Sequence, residues 1–314
     1  MYRNLMQVLL AKEESVYNSD PTPTVANNAV AATNIKIDYK GDVLERNYNR
    51  SNLSPVAPVI GKRWVEISFD AELKGSGSAG TAPILGDMLE ACGFSEAISA
   101  GSSVTYTPSS GTMKSITVYV YDIPDTGSAR LHKITGARGE VGFELTAGQI
   151  AKAKFKFQGM YNVVTDVTPP AAPTFETTVP PIVQSASFTL NAISTLVVQA
   201  INLDMGNDIV QSEDVSSAGG ISKMVITGRN PSGKFAPEAV TIATYPYWAD
   251  WTAATQRALS VIVGSVAGNK CTISAPKVTI DNISEGERNN IRIDEIAFRC
   301  AGNAGNDEVS LVFA

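Results

Sequence analysis

Residues 150–158 read IAKAKFKFQ, and no other stretch limits the fold of this chain more. Ala151, Ala153, Phe155 and Phe157 fall on one side; Lys152, Lys154, Lys156 and Gln158 fall on the other. A period of two belongs to a strand with one buried and one wetted face. The alternation recurs at 62–73, where Val65, Ile67, Phe69, Ala71 and Leu73 oppose Trp64, Glu66, Ser68, Asp70 and Glu72. It returns at 34–40, 115–122, 131–134 and 141–145. Strands of this kind pair antiparallel, so a mainly β sandwich or barrel is expected.

One short helix interrupts the strands. After 62–73, Gly75, Gly77 and Gly80 free the backbone, Thr81 and Pro83 suit a helix start, and Ile84, Leu85, Met88, Leu89 and Cys92 recur at helical spacing before Gly93. The loop GSGSAG matches G-x-G-x-x-G, the dinucleotide fingerprint. That fingerprint needs a fully buried parallel strand and a βαβ unit. Here the preceding strand alternates and the following strands are hairpin-linked, so the glycines read as a loop between strand and helix.

Composition narrows the function. The net charge of −6 argues against a protein that coats duplex DNA. Cys92, Cys271 and Cys300 are odd in number and widely spaced, which fits neither a disulfide framework nor a metal pair and is expected of a reducing compartment. MYRNLMQVLLAKEE has too short an apolar stretch for a signal peptide, and no apolar run approaches the ~20 residues that span a bilayer, so no membrane partner is expected. His132 is the only histidine, and no carboxylate pair stands apart. No catalytic site, cofactor or metal is expected.

The chain reads as two related halves. Residues 15–33 form a polar arm that is expected to need a partner to order it. The loop at 41–61 carries Glu45, Arg46, Asn47, Arg50 and Asn52 and is expected to touch another subunit rather than hang free. A connection at 95–113 holds a short strand at 104–106. Five prolines in 164–182 make a stiff linker, which sets a first domain at 1–163 and a second at 183–314. Ile35, Ile37, Asp38, Asp42 and Val43 recur at one constant spacing as Ile201, Leu203, Asp204, Asp208 and Ile209. The stretches 62–73, 83–94, 115–121 and 136–145 are matched to 234–243, 245–256, 258–264 and 274–283, and Phe155 and Phe157 to Ile296 and Phe298. A tandem duplication is expected; two unrelated β domains are the alternative.

Two charged stripes remain. Glu66, Asp70 and Glu72 share one strand face, and Lys152, Lys154 and Lys156 share another. The lysines suit a solvated or edge-protecting face, a phosphate contact, or a cross-strand partnership with the acids at equal spacing.

LLAKEESVYNSDPTPT (9–24), GTAPILGDMLEACGF (80–94), LHKITGARGEVGFELTAGQIAKAKFKFQGMY (131–161) and GNDEVSLVF (305–313) resemble the major tail tube proteins of long, non-contractile phage tails. The resemblance implies two tandem tail-tube-type β-sandwich domains, each with one flanking helix, in a virion protein assembled in the host cytoplasm. It implies rings of six tube domains stacked into a hollow tube, with a tape measure protein in the bore during assembly, tail terminator and tail-tip proteins at the ends, and DNA passing through without specific binding. With two such domains per chain, a homotrimeric, pseudo-hexameric ring is expected. The alternative is a homohexameric ring on which residues 183–314 form an outward decoration domain; a different self-assembling β virion protein or adhesin is a further one. Glu66, Asp70 and Glu72 are expected to face the bore, where an acidic lining would repel the phosphate backbone.

Overall fold

In a computed structural model of the chain, residues 1–191 and 193–314 are described, the side chain of Asn4 excepted. The alternating segments pair antiparallel throughout, giving 54% strand and 4% helix, so opposed sheet faces make the core. In the first half an inner layer runs Ala32–Leu44, Val59–Glu72, Lys152–Tyr161 and the far part of Ala129–Thr146. An outer layer runs Tyr2–Glu13, Ile116–Pro124, the near part of Ala129–Thr146 and Thr165–Val167. Ala129–Thr146 serves both layers because its ladders slip between 134 and 138, where the strand bends. Phe69, Phe155 and Phe157 stack at 5.5–6.1 Å between the layers, beside Val65, Ile67, Val118 and Val120.

The second half repeats this layout. Its inner layer is Val198–Asp204, Ser232–Pro237, Ile291–Ala301 and the far part of Cys271–Arg288. Its outer layer is Ser187–Leu190, Arg257–Val263, the near part of Cys271–Arg288 and Ser310–Phe313. The registers coincide. The pairs Ile116 with Ala137 and Val118 with Ile134 become Arg257 with Val278 and Leu259 with Ala275, all displaced equally along the chain and with the same slip between them. Gly139 with Phe157 becomes Ile280 with Phe298 by that same displacement. Ile37 with Ile67 and Asp38 with Glu66 become Leu203 with Gly233 and Asp204 with Ser232, by the longer displacement that carries Ile35 to Ile201.

These ladders correct the sequence alignment. The counterpart of 62–73 centres on Ser232–Pro237, not 234–243, and 115–121 maps onto 256–262 rather than 258–264. Moving a strand by an even number of positions keeps every apolar side chain on its face, so alternation cannot separate such registers. The helices, Gly86–Ala91 and Tyr247–Thr252, are shorter than expected. Thr81 caps nothing, and its carbonyl accepts Ser76 Oγ at 2.9 Å instead. Tyr2–Glu13 is an unforeseen strand: Val8, Leu9, Leu10 and Ala11 are all buried, because the arm and linker cover its second face, and this erases the alternation. Residues 211–226 lie largely in a hairpin, Asn207–Glu213 with Ile221–Arg229, and 95–113 contains most of a second, Phe94–Ser99 with Ser103–Pro108.

The glycines of GSGSAG permit a close crossing. Gly75 N donates to Asn269 Oδ1 at 3.0 Å, and a Cβ on Gly75 would collide with the Gly268 carbonyl. The loop is thus a contact between the halves.

The arm expected to need a partner is held by its own chain. Glu14, 5% exposed, accepts hydrogen bonds from Ser115 Oγ, Thr117 Oγ1 and the backbone N of Asn18 and Gly136, all at 2.6–2.7 Å. Tyr17 OH donates to the Gly136 carbonyl and accepts from Met224 N. Asp20 accepts from Tyr119 OH and Lys133 Nζ, both at 2.5 Å. Burial alone would raise the Asp20 carboxyl, but these two donors and the Thr22 backbone N–H outweigh it and hold its pKa below the ordinary carboxylate range.

Replacing Glu14 by Ala strands three buried donors and is expected to lower stability by about 3 kcal/mol in denaturant melts. Because the Asp20 pKa is depressed on folding, its contribution is intact above the ordinary carboxylate range and is lost as pH falls through the depressed value. Proteolysis within residues 15–28 should therefore set in only as the pH falls below the ordinary carboxylate range.

Candidate assembly interface

The two inner layers join through backbone hydrogen bonding. Gly142–Thr146 pairs antiparallel with Ala200–Asp204, from Asp204 opposite Gly142 to Ala200 opposite Thr146. Phe143 and Leu145 meet Leu203 and Ile201 on the core side, all buried. The result is one eight-stranded face made of two four-strand units in the same order.

That face ends in two open edges. Among the described residues, neither the outer side of Ala32–Leu44 nor that of 279–288 has a ladder partner. Unpaired N–H and C=O groups of this kind are templates for another strand. These edges are the counterparts of the two sides of the joint. Residues 34–38 correspond to 200–204, and the slip that follows Thr33 reappears after Val198. Gly142 faces Lys154, and Ser284 faces Glu295, the counterpart of Lys154, so 284–288 corresponds to 142–146.

A hairpin rises from the first strand pair of each half. The register carries over: Gly41 with Arg63, Val43 with Ile60 and Leu44 with Val59 correspond to Asn207 with Arg229, Ile209 with Ile226 and Val210 with Val225. Their courses differ. In the second half the pairing breaks at Gly206, where φ is +59° and a Cβ would lie 2.6 Å from the Asn230 carbonyl, and at Pro231, which has no N–H to give. The hairpin folds down onto the first half. Asn207 Nδ2 donates to the carbonyls of Cys92 at 2.7 Å and Gly139 at 3.0 Å, and Arg138 Nη1 donates to the Met224 carbonyl at 2.8 Å. Lys40 and Val65 stand where the second half has Gly206 and Pro231, and there the first half's ladder continues unbroken, Tyr39 opposite Val65 and Lys40 opposite Trp64.

Glu45, Arg46, Asn47, Arg50 and Asn52 lie exposed at the tip of the first half's hairpin, where Asn47 Nδ2 donates to Glu45, Arg50 covers the Tyr48 ring, and Asn52 accepts from Ser54 N.

The polar side of the eight-stranded face holds both stripes. Asp70 stands opposite Lys154, Glu72 opposite Lys152, and Glu66 opposite Gln158. The lysines reach the other way: Lys154 Nζ is 2.6 Å from Glu144, and Lys156 Nζ is 3.7 Å from Glu140. Glu72 pairs with Lys74, and Asp70 accepts from Asn34. Glu140 and Glu144 were not singled out in the sequence because they lie one strand further on, where Val141, Phe143 and Leu145 carry the signal. The Glu144 hydrogen bond raises the pKa of Lys154, whereas burial raises that of Asp204 beside it. The face is therefore a mosaic of both signs rather than an acidic sheet.

Two further polar clusters are tied up internally. His132 bridges Tyr39 OH and the Asp122 carboxylate, which Arg130 and Gln7 also bind. Glu13, Asp87 and Glu90 converge, with Lys114 Nζ 2.9 Å from both Glu13 and Glu90 and Glu13 N donating to Asp87. The three cysteines are buried and free. No helix among the described residues is long and apolar enough to cross a membrane.

Substituting Asn207 by Ala removes two buried hydrogen bonds; a loss of about 2 kcal/mol is expected, with amide exchange rising within 207–229 before the rest of the chain. Lys154→Glu gathers a new carboxylate beside Glu144, Asp70 and Asp204. It should cost about 1 kcal/mol in thermal melts at low salt and less at high salt.

A family model described as phage tail tube protein matches residues 5–300 of the chain. No curated protein matches the sequence.

Proposed function

The chain belongs to the phage tail tube protein family, and from that premise we propose that it self-assembles, three copies to a ring, into the stacked rings of a hollow tail tube through which genome DNA is delivered. The observation that carries this reading is the joint between 142–146 and 200–204, flanked by two open edges of matching register. Repeating the joint between copies brings Asp38 opposite Ser284 and Asn34 opposite Arg288 of the next chain. The sheet then grows by eight strands per copy and closes after three copies if each half spans a sixth of the ring. A head-to-tail contact of this kind makes a ring only when its rotation closes.

The halves are read as a tandem duplication, with residues 1–163 and 183–314 as two tube domains and 164–182 as the link. The shared strand order and bulge positions support this over two unrelated domains. They also favour it over an outward decoration domain, since 198–204 and 232–237 belong to the same face as 32–44 and 59–72.

In such a ring the polar face lines the bore. Glu66, Asp70 and Glu72 face it together with Lys152, Lys154 and Lys156. Interleaved ion pairs leave no unbroken basic track to hold phosphates and no strong field to expel them, which suits DNA in transit. A tape measure protein would occupy this bore during assembly in the host cytoplasm, with terminator and tail-tip proteins at its ends. The role is structural rather than enzymatic.

Electron microscopy of the purified protein tests the reading. Rings with a central hole, six lobes and threefold averages are expected. A monomer at high concentration, or a ring of six chains, overturns it.

A further inference from the structure

Within each chain the hairpin of Phe94–Ser99 and Ser103–Pro108 is a wedge between the halves. Its edge pairs with Ser310–Phe313, Tyr106 opposite Leu311 and Val104 opposite Phe313. Tyr106 is fully buried. Its ring lies edge-on to Phe313 at 6.0 Å, and a Cβ on Gly86, at the start of the first helix, would lie 2.8 Å from its hydroxyl. The hairpin thus fills the space between the helix of the first half and an outer-layer strand of the second, and Met88, Leu89 and Ala91 of that helix are fully buried.

Both surfaces recur in the chain, and there they are bare. Leu131 with Thr165 and Arg130 with Asp166 correspond to Thr272 with Val312 and Cys271 with Phe313, by the displacement that relates the other outer-layer pairs. Thr165–Val167 is therefore the counterpart of the strand that Val104–Tyr106 covers. Among the described residues its outer side has no ladder partner, and Thr165 and Asp166 are exposed. The second helix, Tyr247–Thr252, ends as the first does, before a residue at positive φ, Ala254 in place of Gly93. Yet Ile242, Trp248 and Trp251 stand open around it, Trp251 at 47%. The one charged side chain within 241–256, Asp250, is buried and bound by Arg257, so the open surface is uncharged.

Carrying the joint over to the seam between neighbouring copies sets the second helix of one copy beside Thr165–Val167 of the next. We infer that each such seam is an acceptor groove for a β-strand of a different protein, with Trp248 and Trp251 as its floor and Thr165–Val167 as its pairing edge. The segment that fills the same place at the joint defines the occupant. It is an extended strand whose backbone pairs antiparallel with the edge and which turns an aromatic side chain onto the tryptophans. Backbone pairing supplies affinity, and the aromatic floor supplies choice. Each copy's own 94–108 hairpin is engaged at its joint, so the strand comes from another chain. Floor and edge belong to different copies, so the groove exists only in the ring, three times.

This inference rests on the ring reading, and the experiment separates the two. The probe is a dye-labelled synthetic peptide with the sequence of residues 94–109, followed by fluorescence anisotropy. It is expected to bind assembled rings, to saturate at one peptide per chain, and not to bind the unassembled chain. The same peptide carrying Tyr106→Asp should not bind. Trp248 and Trp251 are exposed, so Trp248→Ser/Trp251→Ser should leave melting temperature and ring formation unchanged while peptide binding is lost. If rings bind no peptide, or bind the Tyr106→Asp peptide equally well, or if the unassembled chain or rings of the double variant bind as wild-type rings do, the groove is overturned and the ring reading stands. If reconstructions of peptide-free rings show the seams filled by a segment of a second copy, the role as acceptor for a different protein is overturned. If the wild type forms no rings, both readings fall.

Discussion

A short backbone ladder, 142–146 against 200–204, is the constraint on which the rest depends. Backbone hydrogen bonds fix distance, direction and register together, which apolar contact alone does not. Once that ladder forms, two four-strand units become one face and the polar side chains of both share a single surface. The same ladder explains why the free edges suit each other. Each is a copy of one side of a pairing that the chain already makes, down to the bulge after Thr33 and its repeat after Val198.

Much of this was legible in the sequence. The alternation of 150–158 and 62–73 announced the two central strands, and the residues 155 and 157 do face the core. The spacing between Ile35 and Ile201 proved to be the true register of the first strand pair and of the hairpins. What failed did so for physical reasons. Even-numbered slips keep faces intact, so 62–73 and 115–121 were aligned off their true partners; 136–145 was set three positions short of its true partner, and Phe155 and Phe157 were matched correctly to Ile296 and Phe298. The strand 2–13 is covered on both faces and so shows no period. The hairpin at 207–229 was hidden because Ser, Gly and Asn fill its turn and its bend.

The candidate surface was legible only in part. The acidic and basic stripes were read from spacing; they lie on neighbouring strands, with Asp70 opposite Lys154 and Glu72 opposite Lys152 but Glu66 opposite Gln158. Their ion pairs could not be read, because Lys154 and Lys156 reach for Glu144 and Glu140 on the adjoining strand. An acidic face inferred from one strand thus becomes a mixed one, five carboxylates interleaved with three lysines, when three strands are set side by side. The arm predicted at 15–33 shows the reverse error. Its polar composition suggested dependence on a partner, yet Glu14, Tyr17 and Asp20 anchor it on the chain's own strands.

Within one chain the halves are held by more than the ladder. Ser310–Phe313 pairs with Ser103–Pro108, the hairpin clasps through Asn207, and the Gly75 loop meets Asn269. The second half has no counterpart of the 94–108 hairpin, since its helix passes almost directly into Arg257–Val263. In the proposed ring of three such chains, seams of two stiffnesses would alternate around the wall. Under a bending or squeezing load, strain would gather in the three softer seams. A bore of that kind would deform toward a rounded triangle, a mechanical symmetry of three beneath six lobes.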